Sequence, residues 1–248
     1  MLVDVGQEHR LHGRLLNLHL NMDKQPMLDV AGIAVSPQHY IGGLRVASAA
    51  RFELFSHIDQ RVLGQLCEGG AAAADATVRA ALAAFPAWSA PTAAERMPCL
   101  DGFAAEIGKR ADALCLLESV DAGVLLSRMR HGVVPRAMLN ITWFEQHALE
   151  LQNRPIDTAQ ATPAVRHDPA GVVVVITPLN APLMLSTWKL GPALAADNCC
   201  ILKPPEWAPL TSSLLADCAD PAGLPPGARA PSSRWKMQTS TTPPPPAR

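Results

Sequence analysis

Residues Val172 to Ile176 form an unbroken β-branched run, VVVVI, bounded by Gly171 and Pro178. Such a run fits a strand buried on both faces of a parallel sheet, and no other segment limits the possible folds as much. A helical stretch from Pro182 to Ala196 follows, with Leu185, Trp188 and Leu194 apolar; Asn198 to Lys203 (NCCILK) reads as a second buried strand, and Leu210 to Ala219 as another helix. Strand, helix, strand, helix is the pattern of a right-handed βαβ unit, so the expected fold class is α/β, an incomplete parallel sheet with flanking helices.

Upstream the pattern is mostly helical. Ala71 to Trp88 is alanine-dense, with Val78, Leu82 and Phe85 at helical spacing and Pro86 expected to close it. Thr92 lies three residues before Glu95, a capping box that starts a second helix near Ala93. Leu100, Phe103, Ile107, Leu114 and Leu117 carry its apolar stripe to about Asp121, where Gly123 is a left-handed stop; Lys109 and Arg110 stay outside the stripe. A third helical pattern runs from Leu125 to Leu151 through Val133, Ala137, Ile141, Phe144 and Ala148, interrupted at Pro135. Ahead of these, HYIGGLRVAS from His39 reads as a short strand with Gly42 and Gly43 at a turn.

Three domains of composition are expected. Residues 1–38 read as a poorly ordered leader, because Gly13, Pro26, Gly32 and Pro37 break each short apolar stretch. Residues 39–227 hold the folded part, and residues 228–248 form a disordered Pro/Ser/Thr-rich tail ending in four consecutive prolines. The 21 Lys and Arg against 22 Asp and Glu give a net charge of -1, which supplies no drive toward phosphate backbones or anionic membrane, so neither nucleic acid nor membrane is an expected partner. Asp4, Glu8, Arg10 and Arg14 interrupt what a secretion signal would need, and the six cysteines show no CxxC spacing; both features point to the cytoplasm.

From Ile176 to Thr211 the text ITPLNAP followed by STWKLGPALAADNCCILKPPEWAPLT resembles the NAD(P)-dependent aldehyde dehydrogenase superfamily. The resemblance extends upstream through HYIGG (39–43), AAFPAWS (83–89), AAER (93–96), LES.DAG (117–123), PRAMLN (135–140) and DPAGVV (168–173). The PRA..N..WFE..ALEL stretch most resembles the branch acting on hydroxymuconic semialdehydes. The implied fold is the N-terminal half of an aldehyde dehydrogenase, with residues 39–227 a partial NAD-binding domain. The implied activity is NAD-dependent oxidation of an aldehyde to a carboxylic acid.

Residue by residue, the resemblance assigns Asn180 to the oxyanion site, where a pre-aimed amide lowers an acyl-transfer barrier by about 3 to 4 kcal/mol. The plain alternative is an Asn that shapes a strand-to-helix turn. Lys203 and Glu206 match the pair that holds the adenosine ribose, and Ile176, Thr177 and Leu179 match positions lining the cofactor. An acid at that strand end accepts from a 2'-hydroxyl and repels a 2'-phosphate, which favours NAD over NADP; a solvated charge pair is the alternative. Leu179 in place of the usual Trp, Asp197 in place of a helix-end Gly, Pro205 in place of the usual Ser, Val124 in place of Lys and SHIDQRV (56–62) in place of an NPATGE-like turn are departures.

Absences matter as much. No GST..G helix start, no ELGGK-like segment carrying the general base and no GQ.C nucleophile follow, and none of the six cysteines fits the nucleophile position. The chain is therefore expected to be truncated relative to the family and not to oxidise aldehydes by itself, its final residues reading as though translation had shifted frame. A non-catalytic nucleotide-binding or subunit-associating fragment is the alternative, and oligomerisation is doubtful without the remainder. Ser186 and Lys189 spell an SxxK without a KTG, Gly102 with Gly108 and Lys109 misses phosphate-loop spacing, and His9, His12 and His19 lack supporting ligands; none is taken as a site, and no metal is expected.

Overall fold

The computed structural model describes residues 25–150, 154–155, 164–227 and 229–231. The run at residues 172–176 forms strand β9 (Val172–Ile176), which pairs in parallel with β10 (Cys199–Lys203). Between them lies a helix, Pro182–Ala195, and after them a short one, Leu210–Ala216. The expected βαβ unit is present, and residues 199–202 of β10 are fully buried.

Two expectations about this sheet are corrected. β9 is not buried on both faces: Val174 and Ile176, which share a face, are 45% and 60% exposed, whereas Val175 on the other face is buried. The Val174 side is only partly covered. The residues past Gly227 also contribute structure, because β11 (Arg229–Pro231) pairs in parallel with β10 through Cys200 and Arg229, giving the order β11-β10-β9. β10 is therefore central and has no open edge.

The N-terminal region carries more strand than its sequence suggests. Gly32 and Pro37 do not prevent order, since β1 (Leu28–Val30) and β2 (Ile33–Val35) form a hairpin whose Val30 and Val35 are buried. Asp29 Oδ1 accepts from the Gly32 N–H at 2.8 Å and closes its turn. Residues 1–24 of the expected leader, and 228 and 232–248 of the expected tail, lie outside the described residues. The strand reading at His39 is met by β3 (His39–Ile41) and β4 (Leu44–Val46), joined by Gly42 and Gly43 at φ 58° and 86°. That both turn positions have positive φ explains the Gly-Gly. A further hairpin, β5 (Arg51–Phe55) with β6 (Val62–Cys67), is absent from the sequence reading. A last pair joins β7 (Arg154–Pro155) to β8 (Ala164–Val165).

Helices pack on the sheet directly and in a further layer behind. Helix α1 (Ala71–Ser89) includes Pro86 rather than ending at it, because a proline in the last turn forfeits only one hydrogen bond. Its buried face is Ala73, Ala76, Ala80, Ala81, Ala84 and Trp88, whereas Val78 and Leu82 are exposed. Small residues are used there because the chain approaches closely: a Cβ on Gly227 would lie 2.5 Å from the Ala80 carbonyl oxygen.

Helix α2 (Ala93–Lys109) starts with the Thr92–Glu95 capping box, the Glu95 N–H donating to Thr92 Oγ1 and the Thr92 N–H to Glu95 Oε2. The expected continuous helix to Asp121 breaks at Arg110 (φ -103°, ψ 17°), and α3 (Ala111–Ala122) then ends at Gly123 with φ 71°. Leu100, Phe103, Ile107, Leu114 and Leu117 are all buried, as their spacing requires. Helix α4 (Val134–Glu150) follows a short α turn (Leu126–Arg128) and a π turn (Met129–Val133). The interruption thus precedes Pro135, whose missing N–H accompanies the widened turn.

Helix α5 (Pro182–Ala195) lies along α4. Asn140 of α4 donates from Nδ2 to the Met184 carbonyl and to Thr187 Oγ1, both at 3.3 Å. A Cβ on Gly191 would lie 2.7 Å from the Asn140 carbonyl oxygen, so the two helices are in contact at that glycine. At the far end of α5, Asp197 adopts φ 67° and pairs with Arg96, whose side chain is only 4% exposed. Asn198 then ties the helix end to the sheet, donating to the Ala193 and Ala196 carbonyls and accepting from the Gly171 N–H at 3.0 Å. Helix α6 (Leu210–Ala216) completes the layer. No helix among the described residues is long and apolar enough to cross a membrane.

Candidate functional site

Two loops leave the carboxyl ends of the parallel strands, residues 177–181 after β9 and 204–209 after β10. In open α/β sheets such strand ends form the ligand-binding crevice. Register places Ile176 directly beside Lys203. The buried Thr177 continues this contact, its N–H donating to the Lys203 carbonyl at 3.2 Å. Lys203 Nζ in turn lies 3.2 Å from Glu206 Oε2, and the Glu206 carboxylate remains partly exposed. Ile176, Thr177, Lys203 and Glu206 are therefore brought together at one edge.

Asn180 stands apart from that pair. It occupies an exposed turn two residues before α5, and its side-chain amide makes no hydrogen bond to the described residues. An amide with unspent donors at a helix N-terminus suits an anionic oxygen. Leu179 beside it is 36% exposed and Ile176 is 60% exposed, so apolar surface adjoins the polar groups. Lys189 of α5 donates from Nζ to the Ile176 carbonyl at 2.6 Å, while the buried Ser186 donates to the Pro182 carbonyl at 2.6 Å. Ser186 and Lys189 are thus not a nucleophile and base.

The β5–β6 hairpin contributes a wall that the sequence did not signal. A cavity of about 160 Å³ lies between its turn and the loop after β10, lined by Phe52, Phe55, His57, Glu206 and Trp207 among others. The SHIDQRV departure therefore lies against the loop that holds Glu206. Ser56 Oγ organises the turn by accepting from the Ile58 and Asp59 N–H groups, with Gln60 at φ 60°.

Five of the cysteines are buried and Cys99 is half-buried. Burial pushes the Cys199 thiol up to about 11 and raises Cys99 and Cys115 as well, which is the reverse of what a nucleophilic thiolate requires. No group of three metal-binding side chains occurs among the described residues; His9, His12 and His19 lie outside them.

The LES.DAG segment holds two acids to which the sequence reading gave no role. Glu118 and Asp121 on α3 are buried at 0% and 1% exposure. Glu118 Oε2 accepts from the Leu183 N–H at 3.0 Å, and Asp121 Oδ2 from the Leu210 N–H at 2.7 Å. Burial raises Glu118 to about 7, against the pull of the Leu183 N–H, and lifts Asp121 well above the usual carboxylate range, with Glu118 adding to that rise. The sequence signals for them were their place in the LES.DAG match and their i, i+3 spacing on a face otherwise apolar.

The architecture is the N-terminal part of a dehydrogenase fold, and similarity to known proteins makes the class specific. The aldehyde dehydrogenase family profile matches residues 45–230, and the chain belongs to that family. It is 38% identical over 202 residues to the 2-hydroxymuconic semialdehyde dehydrogenase of Pseudomonas sp. (strain CF600), an alignment covering 77% of this chain and 41% of the relative. It is 34% identical over 200 residues to the NADP/NAD-dependent aldehyde dehydrogenase PuuC of Escherichia coli (strain K12), covering 79% and 40%. Among solved structures, the P. syringae indole-3-acetaldehyde dehydrogenase variant in complex with NAD+ and IAA superposes with TM-score 0.79 at 31% identity, covering 83% of this chain and 43% of that one. PnpE in complex with nicotinamide adenine dinucleotide gives 0.76 at 34%, covering 80% and 41%. The chain thus spans about two fifths of the length of the curated relatives it matches.

Proposed function

We propose that residues 39–227 form the cofactor-binding and oxyanion-binding part of an NAD-dependent aldehyde dehydrogenase. The observation that carries this reading is the Lys203–Glu206 pair at the carboxyl end of β10, joined to Thr177 and set beside the exposed Ile176. Glu206 accepts from the adenosine ribose hydroxyls, Lys203 donates to the same sugar, and Ile176, Thr177 and Leu179 line the cofactor. NAD, when bound, supplies the hydride acceptor. A 2'-phosphate would meet the Glu206 carboxylate, so NAD is preferred to NADP. The relative PuuC is named as using both, which makes this preference a point where the two differ.

Asn180 donates its amide to the oxygen of an aldehyde as that oxygen gains negative charge. The donor is aimed without competition, because no described side-chain partner holds it. The reaction also needs a thiolate and a base, and the buried or half-buried cysteines of this chain do not provide the first. Alone, the chain binds NAD and does not oxidise aldehydes; its place is the cytoplasm, where thiols stay reduced. The relatives named for muconic semialdehydes support an unsaturated semialdehyde as the substrate of the complete enzyme.

Titration calorimetry with NAD, and absorbance at the NADH wavelength with NAD and a panel of aldehydes, test the two parts on the purified chain. Binding heat with NAD and no NADH above a protein-free blank is expected. NADH formation would refute the reading of the cysteines, and absence of heat at millimolar NAD would refute the cofactor site. A second reading, a fragment that associates with another chain, is favoured by the exposed Val174 and Ile176 on one face of β9. Size-exclusion chromatography with a co-expressed full-length relative distinguishes it.

A further inference from the structure

Helices α5 and α6 follow directly on the two ligand loops, and neither has a cap from its own sequence. The cap positions are Ala181 and Pro209, and no side-chain cap hydrogen bond forms at either. The first N–H groups of a helix have no partner within it, so each requires an acceptor from elsewhere. Here both acceptors come from one helix, α3, through acids one turn apart: Glu118 to Leu183, the second residue of α5, and Asp121 to Leu210, the first residue of α6. Leu183 is three residues past Asn180, and Leu210 is four past Glu206.

We propose that Glu118 and Asp121 are positioning residues that fix the 177–181 and 204–209 loops to a common strut, setting the Asn180 end of the site against the Lys203–Glu206 end. This rests on the function proposed above. Neutral Ser or Asn caps within each loop would satisfy the same N–H groups without burying two acids, but each would anchor its loop only to itself. The strut is well held, because α3 packs through the buried Leu114, Cys115 and Leu117 into the main core. The two helix N–H bonds orient these carboxylates, and the side chain of Thr211, the second residue of α6, also interacts with the Glu118 carboxylate. Burial raises both acids toward their protonated forms, and a protonated carboxyl keeps a carbonyl oxygen for the N–H. Acceptor geometry rather than net charge is therefore what the site needs from them.

The test uses the 15N-labelled full chain with Glu118→Ala, Glu118→Gln, Asp121→Ala and Asp121→Asn, each read by amide NMR and by titration calorimetry with NAD and with AMP. Asp121→Ala is expected to move the Leu210 amide and the 204–209 amides and to weaken both ligands at least tenfold. Glu118→Ala is expected to move the Leu183 and 177–181 amides and to weaken NAD at least fivefold while AMP changes less than twofold, because AMP reaches only the Lys203–Glu206 end. The Gln and Asn variants, which keep an acceptor oxygen, are expected to stay within threefold of the parent for both ligands.

Loop amides that do not move in folded alanine variants would overturn the proposal, as would equal losses of NAD and AMP in Glu118→Ala. If the alanine variants fail to fold, the amide variants decide: retained affinity and loop shifts support the strut, and their loss overturns it. A parent chain that binds neither ligand removes the function proposed above, while the amide shifts still judge the strut.

Discussion

Replacing Gly191 by Ala should destabilise the chain, against the ordinary sign for a glycine inside a helix. The added methyl would lie 2.7 Å from the Asn140 carbonyl oxygen, 3.3 Å from its carbon and 3.4 Å from Phe144 Cδ2. Both helices would have to separate by roughly half an ångström, since the obstacle is backbone, and overpacking of this kind costs about 1–3 kcal/mol. Helix propensity returns about 1 kcal/mol. The net expectation is a loss of about 1 kcal/mol, seen as a Tm drop of about 2–4 °C for a chain of this size. Gly132, in the π turn, supplies the control: nothing lies within 4 Å of its Cβ position. Gly132→Ala should leave stability unchanged or raise it by about 0.5–1 kcal/mol. Urea denaturation of the three proteins side by side measures the difference. Gly191→Ala equal to or more stable than the parent would refute the close approach of α4 and α5, and with it the placement of the helix that follows Asn180.

Other consequences can be measured on the same material. Glu118 is raised to about 7 in the fold from an ordinary 4.5, so the native state holds its proton more tightly and stability falls as pH rises across that window. Relative to Glu118→Gln, the parent should lose about 3 kcal/mol between the two limits and run parallel above them; parallel curves throughout would exclude a buried Glu118. His39 is lowered to about 4 from 6.5 by burial, which gives the opposite slope as pH falls, and a His39→Phe variant should show a flatter acid limb in the same titration. Asp197→Gly relieves a left-handed φ of 67° but leaves the buried Arg96 without its carboxylate. The second effect should dominate by about 1–3 kcal/mol in chemical denaturation, and a gain in stability would contradict it. NADP should bind at least about tenfold more weakly than NAD by calorimetry, and Glu206→Gln should narrow that gap; equal affinities in the parent would refute the repulsion by Glu206.

The βαβ unit was legible because its strands are β-branched runs bounded by Gly and Pro, and the α2 start because Thr92 and Glu95 are a local signal needing no tertiary context. Burial of β9 was not legible. Its composition matches a strand covered on both sides, but covering depends on what else packs there, and Val174 and Ile176 are exposed. The β5–β6 hairpin was missed because Gly64, at φ 155°, interrupts the second strand where Leu28 comes within 3 Å of its Cβ position, a long-range reason that leaves no periodic pattern. The α1 face was misjudged for a related cause: close approach selects Ala, while Val78 and Leu82 face outward. In the candidate site, Asn180, Lys203 and Glu206 were singled out by motif resemblance. Glu118 and Asp121 were not assigned, since a buried carboxylate that caps another helix reads in sequence like a solvated charge.

The central claim is that the Lys203–Glu206 edge holds NAD in this chain. Calorimetric titration of the purified chain with NAD, beside Glu206→Gln under identical conditions, tests it most directly. Saturable one-site heat in the parent, with affinity reduced about tenfold in Glu206→Gln through loss of charge-assisted bonds to the ribose, is the predicted result. A folded parent that gives no heat at millimolar NAD, or a Glu206→Gln variant that binds as well as the parent, would contradict it.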